Sequence, residues 1–341
     1  MFAFDLDREL ALRGFQTAIC ALVPADDPCG IDVPTLGRRR LGVDTLYRLR
    51  REVRTRDLVL GHGSSTLPAC VLATTGLSTP FVYRSIGDPV YWATTSMRHR
   101  RTGLLLRQPD VVVALWPGAV EPLVECFGLD ERRIRVIPNA VRADRFSPAS
   151  PAERVRARAC LDLPGDASVV AYLGALSPEK DVGLAIEAIA AIPDAVLAIA
   201  GEGAERAALE RAAAERAPGR VRFLGAQRDA RRVAFAAADT VVLPSRTEGI
   251  PAALIEAGLS ELPVVATDVG GVSEVVLDGE TGVLVPPGEL DVLVEALRTV
   301  LGQPRGLGAA ARSRCLERFD VQDVAARWAA VLSEAMALER V

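Results

Sequence analysis

The chain has 341 residues, and half of them are hydrophobic while a quarter are charged, as in an ordinary soluble globular protein. Because this length exceeds the usual size of one domain, two domains are expected. The net charge of −4, with arginines and acidic residues interspersed, argues against nucleic acid as the main partner.

Apolar, β-branched segments alternate with helical patterns along the whole chain. In the first half we predict strands at 17–23, 58–61, 81–84, 111–114 and 135–137, and helices between them at 46–54, 66–75 and 119–127. In the second half we predict strands at 169–173, 195–200, 221–224, 240–244, 263–266 and 282–285, again separated by helices. Such alternation indicates β-α-β units around parallel sheets. The sequence therefore predicts an α/β fold made of two Rossmann-like domains.

The alternation stops once, between residues 137 and 151, where three prolines and small polar residues replace the apolar pattern. Such a segment is typical of a linker. We therefore predict an N-terminal domain at 1–147 and a C-terminal domain at 148–320. A last amphipathic helix at 321–341 is expected to pack back toward the N-terminal domain.

The six cysteines form no C-x-x-C pair and no metal-ligand spacing, which suits thiols in a reducing compartment. Asp5, Asp7 and Glu9 interrupt any signal-peptide core, and no apolar run approaches the roughly 20 residues that cross a bilayer. We therefore expect a cytoplasmic protein. One stretch is locally basic, and it is either a solvated face or a patch that meets an anionic acceptor or the inner face of a membrane. Its members are Arg38, Arg39, Arg40, Arg48, Arg50, Arg51, Arg54 and Arg56.

The strongest motif is the segment 243–258, LPSRTEGIPAALIEAG, in which a strand ends, a polar loop follows and a helix begins near Pro251. The N–H groups at the start of a helix favour phosphate without any side-chain charge. Glu248 and Glu256 flank this start, and helical geometry would place them about two turns apart on one side. Carboxylates repel phosphate groups, so we expect Glu248 and Glu256 to accept hydrogen bonds from ligand hydroxyl groups, such as those of a sugar. Taken alone, they also fit a loop Glu followed by a Glu of an amphipathic helix.

The ordered series around this motif resembles the retaining glycosyltransferases of family 4. It comprises 248–256, 262–267 (LPVVAT), 270–274 (GGVSE) and 278–286 (DGETGVLVP), and it extends upstream to 169–181 and to 136–141 (VIPNAV). The resemblance implies the GT-B fold, with two Rossmann-like domains facing across a cleft. It also implies retaining transfer of a hexosyl group from a nucleoside-diphosphate sugar. In the family's Glu-x7-Glu motif, the first carboxylate contacts the donor sugar and the second the ribose, which assigns these roles to Glu248 and Glu256.

The only lysine of the chain, Lys180, lies in the segment 172–181, YLGALSPEKD, between a predicted strand and a helix. A lone lysine is compatible with chance, but the family typically reads G-R-L-x-x-x-K-G here, and its lysine grips the donor diphosphate. The agreement favours a site that needs a compact point charge. The family's arginine is replaced by Ala175. This replacement implies weaker donor binding, a subgroup with a different cation, or lost activity, and we favour the subgroup.

The segment 198–206, AIAGEGAER, begins like a G-x-G-x-x-G fingerprint but has Arg206 at the third glycine. No acid for a ribose follows the next strand, which argues against a nicotinamide site. In glycosyltransferases of this type the turn lies beside the donor and Leu224 approaches the base, although a turn needed only for packing is an equal alternative. The donor-binding residues predicted in this way are Gly174, Lys180, Leu224, Glu248, Gly249, Ile250, Pro251, Ala252 and Glu256.

The N-terminal half is expected to bind the acceptor. His62, in the turn GHGSS, closes a predicted strand at the carboxyl edge of the sheet, where open α/β folds bind ligands. It either positions an acceptor hydroxyl and exchanges its proton or completes a tight glycine turn. Many relatives carry a histidine at the end of the next strand, but Arg84 stands there. We expect Arg84 to hold an anionic acceptor or the donor phosphate, in the latter case compensating for Ala175.

Relatives also open with a strand and a glycine-rich loop, and the helix after that loop resembles residues 4–15. We therefore expect the first strand of the N-terminal domain to be missing. Its absence would open a gap between strands that normally pair through it. The expectation is that an upstream in-frame start restores the strand or that the 341-residue product is unstable or inactive.

The predicted reaction uses no metal and no cofactor. Lys180 and the N–H groups of 250–253 would stabilise the charge that gathers on the leaving diphosphate, and no Asp-x-Asp pair lies near the site. The expected partners are the nucleotide sugar and an acceptor glycan, lipid or small molecule, with peripheral membrane contact and without nucleic acid. Two alternatives remain, an inactive sugar-nucleotide-binding protein and a nicotinamide-dependent oxidoreductase.

Overall fold

A computed structural model describes residues 2–24, 33–93, 95–163, 167–226, 228–303 and 306–338. The strands in this part of the chain are β1 (Val59–His62), β2 (Phe81–Arg84), β3 (Val111–Ala114), β4 (Ile134–Val136), β5 (Ser168–Leu173), β6 (Ala195–Ala200), β7 (Val221–Phe223), β8 (Thr240–Leu243), β9 (Val264–Thr267) and β10 (Val283–Val285). The helices are α1 (Phe2–Leu12), α2 (Val43–Val53), α3 (Leu67–Thr74), α4 (Pro89–Trp92), α5 (Ser96–Leu106), α6 (Val120–Glu125), α7 (Pro151–Cys160), α8 (Val182–Ala190), α9 (Arg206–Arg216), α10 (Arg228–Ala237), α11 (Ala252–Leu259), α12 (Val272–Val275), α13 (Leu290–Gly302), α14 (Leu307–Arg318) and α15 (Val321–Met336).

The N-terminal unit consists of Met1–Val141 together with Val321–Val341. Its parallel sheet has the order β1-β2-β3-β4, and every residue of β2 and β3 is buried, as expected for strands covered on both faces. The returning helix α15 packs with α1 against this sheet, and its Trp328 is fully buried in the shared core. The backbone N–H of Val321 donates to the carbonyl of Val141 over 3.0 Å, which ties the returning chain to the outgoing one.

The strand predicted at 17–23 is wrong. In this segment only Ala21 forms an isolated bridge, to Thr35, and residues 17, 18 and 20 are exposed. An apolar, β-branched run becomes a strand only where a neighbouring strand satisfies its N–H and C=O groups, and this segment pairs with none of the four strands described in the unit. The segment therefore lies outside the sheet, and β1 is at the edge of the sheet that the described residues form.

The C-terminal unit consists of Arg142–Asp320 and contains a parallel sheet of order β10-β9-β8-β5-β6-β7. Strands β5 and β8 are neighbours, and the chain proceeds outward from them in opposite directions. All carboxyl ends of parallel strands lie at one edge of the sheet, so the loops after β5 and β8 meet where the strand order reverses. In open α/β sheets, such a reversal of strand order is the usual position of a ligand-binding site.

The predicted α/β architecture with two parallel sheets is confirmed. The strands predicted at 81–84, 111–114 and 195–200 have the observed bounds, and the remaining predicted strands differ from the observed ones by one residue at an end or are shifted by one. Among the described residues, no helix combines the length and the apolarity that crossing a bilayer requires. The five cysteines in the described part are free thiols, and Cys29 lies outside the described residues.

Candidate functional site

Two loops flank the point where the strand order of the C-terminal sheet reverses. The first follows β5 and carries Lys180, and the second follows β8 and carries Glu248. In open α/β sheets, ligands bind in the crevice outside the carboxyl ends of the strands at such a point. The topology therefore brings together two residues that are 68 positions apart in the chain.

The Glu248 carboxylate is held by two donors on the same oxygen. Lys180 Nζ donates to Glu248 Oε1 over 2.7 Å, and Ser245 Oγ donates to that oxygen over 2.7 Å. The carbonyl of Ser245 accepts from Thr267 Oγ1 at 2.5 Å, so the end of β9 fixes the start of this loop. Glu248 is 8% exposed, and a buried carboxylate is stable only when it is paired and hydrogen-bonded. The pair is therefore a preformed charge arrangement at the carboxyl edge of the C-terminal sheet.

A second ion pair joins the same two loops. Arg246 Nε lies 2.9 Å from Asp181 Oδ2, and the backbone N–H of Arg246 donates to the carbonyl of Glu179 over 2.8 Å. Asp181 has a left-handed backbone, with φ of 48°, which turns the chain from Lys180 into α8. The loop after β5 is thus held to the loop after β8 on both sides of Lys180.

Close backbone packing requires glycine on the neighbouring loops. A Cβ on Gly270, after β9, would lie 1.9 Å from the Glu248 carbonyl oxygen, and one on Gly201, after β6, would lie 1.8 Å from that of Gly174. A Cβ on Gly203 would likewise lie only 2.3 Å from the Leu176 carbonyl oxygen. These steric limits support the interpretation that the glycines of the G-x-G turn are needed for packing. A role of this turn beside the donor stays a prediction.

Helix α11 begins at Ala252, directly after Pro251. Glu248 therefore lies in the loop, and helical spacing does not relate it to Glu256, contrary to the geometry considered from the sequence. Glu256 is 4% exposed, within a run of six consecutive buried residues of α11. No side chain caps the start of α11, and among its first N–H groups that of Leu254 donates to the carbonyl of Pro251 over 3.2 Å.

The other predicted donor-binding residues lie on the same carboxyl edge of the C-terminal sheet. Gly174 follows β5, Leu224 follows β7, and Gly249 and Ile250 belong to the loop after β8. The exposed Ala175 offers no cation, and its carbonyl accepts from Tyr172 Oη over 2.8 Å. Burial, and then the carboxylates of Glu248 and Glu179, raise the pKa of Tyr172, so its hydroxyl stays a proton donor.

In the N-terminal unit the sheet register brings His62 and Arg84 together, because the last residue of β1 lies opposite the last residue of β2. Arg84 is 3% exposed, and its Nη2 donates to Asn139 Oδ1 over 2.9 Å. Burial lowers the pKa of Arg84 to about 9. Burial, together with the Arg84 charge, lowers the pKa of His62 to about 3, so the imidazole is neutral at pH 7 and a weak base.

Three contributing residues lie within the quoted sequence motifs but received no role there. Ser245 and Thr267 orient Glu248, and Asn139 holds Arg84. A signal existed for Ser245, since it precedes Glu248 by three residues in the same loop, whereas the hydroxyl of Thr267 reaches this loop only because β9 lies beside β8 in the sheet. Among the described side chains, no group of three or more His, Cys, Asp or Glu residues is arranged to hold a metal ion.

Two α/β units with parallel sheets, one of them carrying a paired lysine and carboxylate at its switch point, match the architecture of the GT-B class. Residues 154–315 match the family model of the glycosyl transferases group 1, and residues 1–145 match that of glycosyltransferase family 4. The chain belongs to the group 1 glycosyltransferases. This membership decides against the nicotinamide-dependent oxidoreductase.

Sequence relatives and a solved structure agree with this assignment. The D-inositol 3-phosphate glycosyltransferase of Nocardia farcinica is 35% identical over 58% of this chain and 46% of its own length. The GDP-mannose-dependent alpha-(1-6)-phosphatidylinositol monomannoside mannosyltransferase of Mycolicibacterium smegmatis is 33% identical over 72% of this chain and 68% of its own length. The structure of Anabaena Alr3699/HepE with UDP-glucose has a TM-score of 0.87 at 22% identity and covers 97% of this chain and 94% of its own. The chain spans about half the length of most of the curated relatives it matches, from 46% upward.

Proposed function

We propose that this protein transfers a hexosyl group from a nucleoside-diphosphate sugar to an acceptor, with retention at the anomeric carbon. The observation that carries the proposal is the contact between Lys180 and Glu248 at the switch point of the C-terminal sheet. A cation for the diphosphate and a carboxylate for sugar hydroxyls are thereby adjacent. The resemblance to family 4 supports retention, and the UDP-glucose and GDP-mannose in the names of the neighbours support the donor class.

The chemistry of this site is electrostatic. As the glycosidic bond breaks, negative charge gathers on the leaving diphosphate, and Lys180 together with the positive end of the α11 dipole would stabilise it. Glu248 would accept hydrogen bonds from the sugar, which orients the anomeric carbon, while Glu256 would accept from the ribose. Because Lys180 is paired with Glu248 before the donor arrives, the diphosphate has to compete with that carboxylate for the ammonium group.

The donor is expected to raise the melting temperature of the protein, since a ligand that binds only the folded state adds stability by mass action, about 2.7 kcal/mol at a hundred times its Kd. A panel of UDP-, GDP- and ADP-sugars measured by thermal shift identifies it. Release of the nucleoside diphosphate on addition of an acceptor then measures transfer, and transfer should persist in EDTA. Loss of transfer in EDTA that Mg²⁺ or Mn²⁺ restores would contradict the metal-free mechanism.

The replacement of the family's arginine by Ala175 favours one second candidate, a sugar-nucleotide-binding protein without transferase activity. The two candidates differ in a single readout. A donor that raises the melting temperature without any release of nucleoside diphosphate, over a broad set of acceptors, supports the inactive protein. Release that depends on both donor and acceptor supports the enzyme.

We further propose that the protein contacts the anionic inner face of a membrane through α2 and the segment before it. Val43 and Tyr47 lie one turn apart on α2 and are 86% and 68% exposed, and Leu41 precedes them at 54%. Apolar side chains flanked by exposed arginines suit the headgroup region of an anionic leaflet. Arg50 is an exception among these arginines, because its Nη1 donates to the carbonyls of Ala73 and Thr75.

Vesicle sedimentation tests this surface. Binding to phosphatidylcholine vesicles should require added phosphatidylserine and should weaken with salt, since each arginine near the surface contributes about 1 kcal/mol. Replacing Arg38, Arg39 and Arg40 with glutamine should therefore weaken binding by about a hundredfold. Leu104→Glu, at an exposed leucine on α5, is the matched control and should bind like the parent. Equal binding to neutral vesicles would contradict an electrostatic patch.

A further inference from the structure

The ring of Phe2 lies among three residues of the N-terminal unit. The guanidinium carbon of Arg84 is 3.8 Å from the centre of this ring, and the ring centres of His62 and Trp328 lie 6.4 Å and 6.3 Å away. Arg84 and His62 stand at the carboxyl ends of adjacent strands, and Trp328 comes from the fully buried face of α15. Three separate segments of the unit thus converge around Phe2.

Each of the three residues around Phe2 carries a buried nitrogen without a hydrogen-bond partner among the described residues. The atoms are Nε of Arg84, Nδ1 of His62 and Nε1 of Trp328. Leaving a buried polar group unsatisfied costs about 1–3 kcal/mol, and such groups are rare in native proteins. Three of them around one side chain indicate a place where a ligand supplies the missing partners.

The chemistry of the three nitrogens restricts that ligand. The side-chain nitrogens of arginine and tryptophan only donate hydrogen bonds, and a neutral imidazole offers one N–H. The ligand must therefore present acceptor atoms. It must also carry negative charge, because the buried guanidinium of Arg84 meets the neutral amide oxygen of Asn139 and the face of Phe2 but no carboxylate within ion-pair distance in the described part of the chain.

We propose that Arg84, His62 and Trp328 form a binding site for a compact oxyanion of the acceptor, a phosphate or a carboxylate, and that Phe2 covers this site when it is empty. The proposal rests on the transferase function and names its acceptor as anionic. The Phe2 ring partly offsets the Arg84 charge through its electron-rich face, and an oxyanion offsets it fully. The ring therefore has to move when the anion binds.

Inorganic phosphate is the first probe, and it is measured in the full chain carrying Lys180→Ala, so that the donor site contributes no lysine contact. Phosphate should raise the melting temperature above that in sodium chloride of equal ionic strength. In the same background Arg84→Met should weaken the phosphate response at least about tenfold and should raise the melting temperature in phosphate-free buffer, because an uncompensated buried charge is removed. No phosphate response in the Lys180→Ala protein overturns the proposal.

Three further variants make this experiment specific. Arg158→Met is the matched control, since Arg158 is a partly buried arginine whose Nη2 is paired with Asp239 at 2.7 Å, and it should keep the phosphate response. Phe2→Ala should bind phosphate more tightly than the parent because no ring has to be displaced. Arg84→Lys retains the charge and serves if Arg84→Met does not fold, and it should bind phosphate more weakly than the parent. A phosphate response that none of the Arg84 or Phe2 variants alters overturns the proposal.

The source of the oxyanion is decided with acceptors on the protein carrying Lys180. Release of nucleoside diphosphate is compared for glucose, glucose 6-phosphate and glucuronate. Nucleoside diphosphate should be released faster with one of the two charged acceptors than with glucose, and Arg84→Met should abolish that difference. Equal use of all three by the parent overturns the anionic acceptor. The melting experiment with phosphate needs no donor, so it tests the anion site by itself. A failure of the proposed transferase function would instead appear as no donor binding and no release of nucleoside diphosphate.

Discussion

Replacing Lys180 with alanine is expected to weaken nucleotide-sugar binding about ten- to a hundredfold and to reduce transfer at least as much. A charge-assisted hydrogen bond to a diphosphate contributes roughly 1.5–3 kcal/mol, and no second cation stands at the position of Ala175 to replace it. Isothermal titration with the donor found in the thermal-shift panel measures the affinity, and nucleoside diphosphate release measures the transfer. The loss should be larger for transfer, because charge on the leaving group grows in the transition state.

Two variants accompany this measurement. Lys180→Arg should recover only part of the affinity, because a planar guanidinium fork does not occupy the space of a compact ammonium group. Arg318→Ala removes another cation of the same unit, paired with Glu274 and far along the chain, and should leave donor affinity unchanged. Unchanged donor binding in Lys180→Ala would show that the loop after β5 is not the diphosphate site.

Glu248→Gln and Glu256→Gln are expected to act in opposite ways. Glu248→Gln should lower turnover strongly while the affinity for the free nucleoside diphosphate holds or rises, because Lys180 loses the carboxylate that now binds it at 2.7 Å. Glu256→Gln should weaken the affinity for the free nucleotide more than it lowers turnover, since its expected partner is the ribose. Titrations with nucleoside diphosphate and with nucleotide sugar, together with turnover rates, separate the two effects.

Ser245→Ala is the informative companion to Glu248→Gln. It removes one of the two donors on Glu248 Oε1 without changing any charge, so it should lower turnover less than Glu248→Gln and leave nucleotide affinity near that of the parent. Equal effects of the two glutamate variants on nucleotide and nucleotide-sugar binding would refute the division of roles between sugar and ribose.

The fold was predictable because the strands of a doubly covered parallel sheet are near-continuous apolar runs. Strands β3 (VVVA) and β6 (AVLAIA) are apolar runs of four and six residues, which is the length of a buried strand and too short for a typical helix. The neighbourhood of Lys180 and Glu248 was also implied, since family motifs placed each of them on a loop at a strand's carboxyl end. The direct ion pair between Lys180 and Glu248 was not predictable, because a contact between residues 68 positions apart depends on the order of strands within the sheet.

The predictions that failed or fell short depended on tertiary context. The segment 17–23 has the composition of a strand, but a strand exists only with a neighbour, and local sequence does not report the neighbour. Arginine side chains are usually exposed, so the complete burial of Arg84 could not be expected from its type. Its contact with Phe2 joins α1 to the end of β2, and no spacing rule connects these elements.

The hydrogen bond between Val321 and Val141 has a consequence for the order of folding. The N-terminal unit is discontinuous, since residues up to Val141 and the helix α15 build one core, whereas Arg142–Asp320 is a single uninterrupted segment. During synthesis from the N-terminus, the C-terminal unit is complete before the N-terminal unit has received its last helix, α15. The N-terminal unit therefore completes its core only after the C-terminal unit has been synthesised, because Leu6, Leu10 and the apolar face of its sheet lack the contact with Trp328 until α15 has been made.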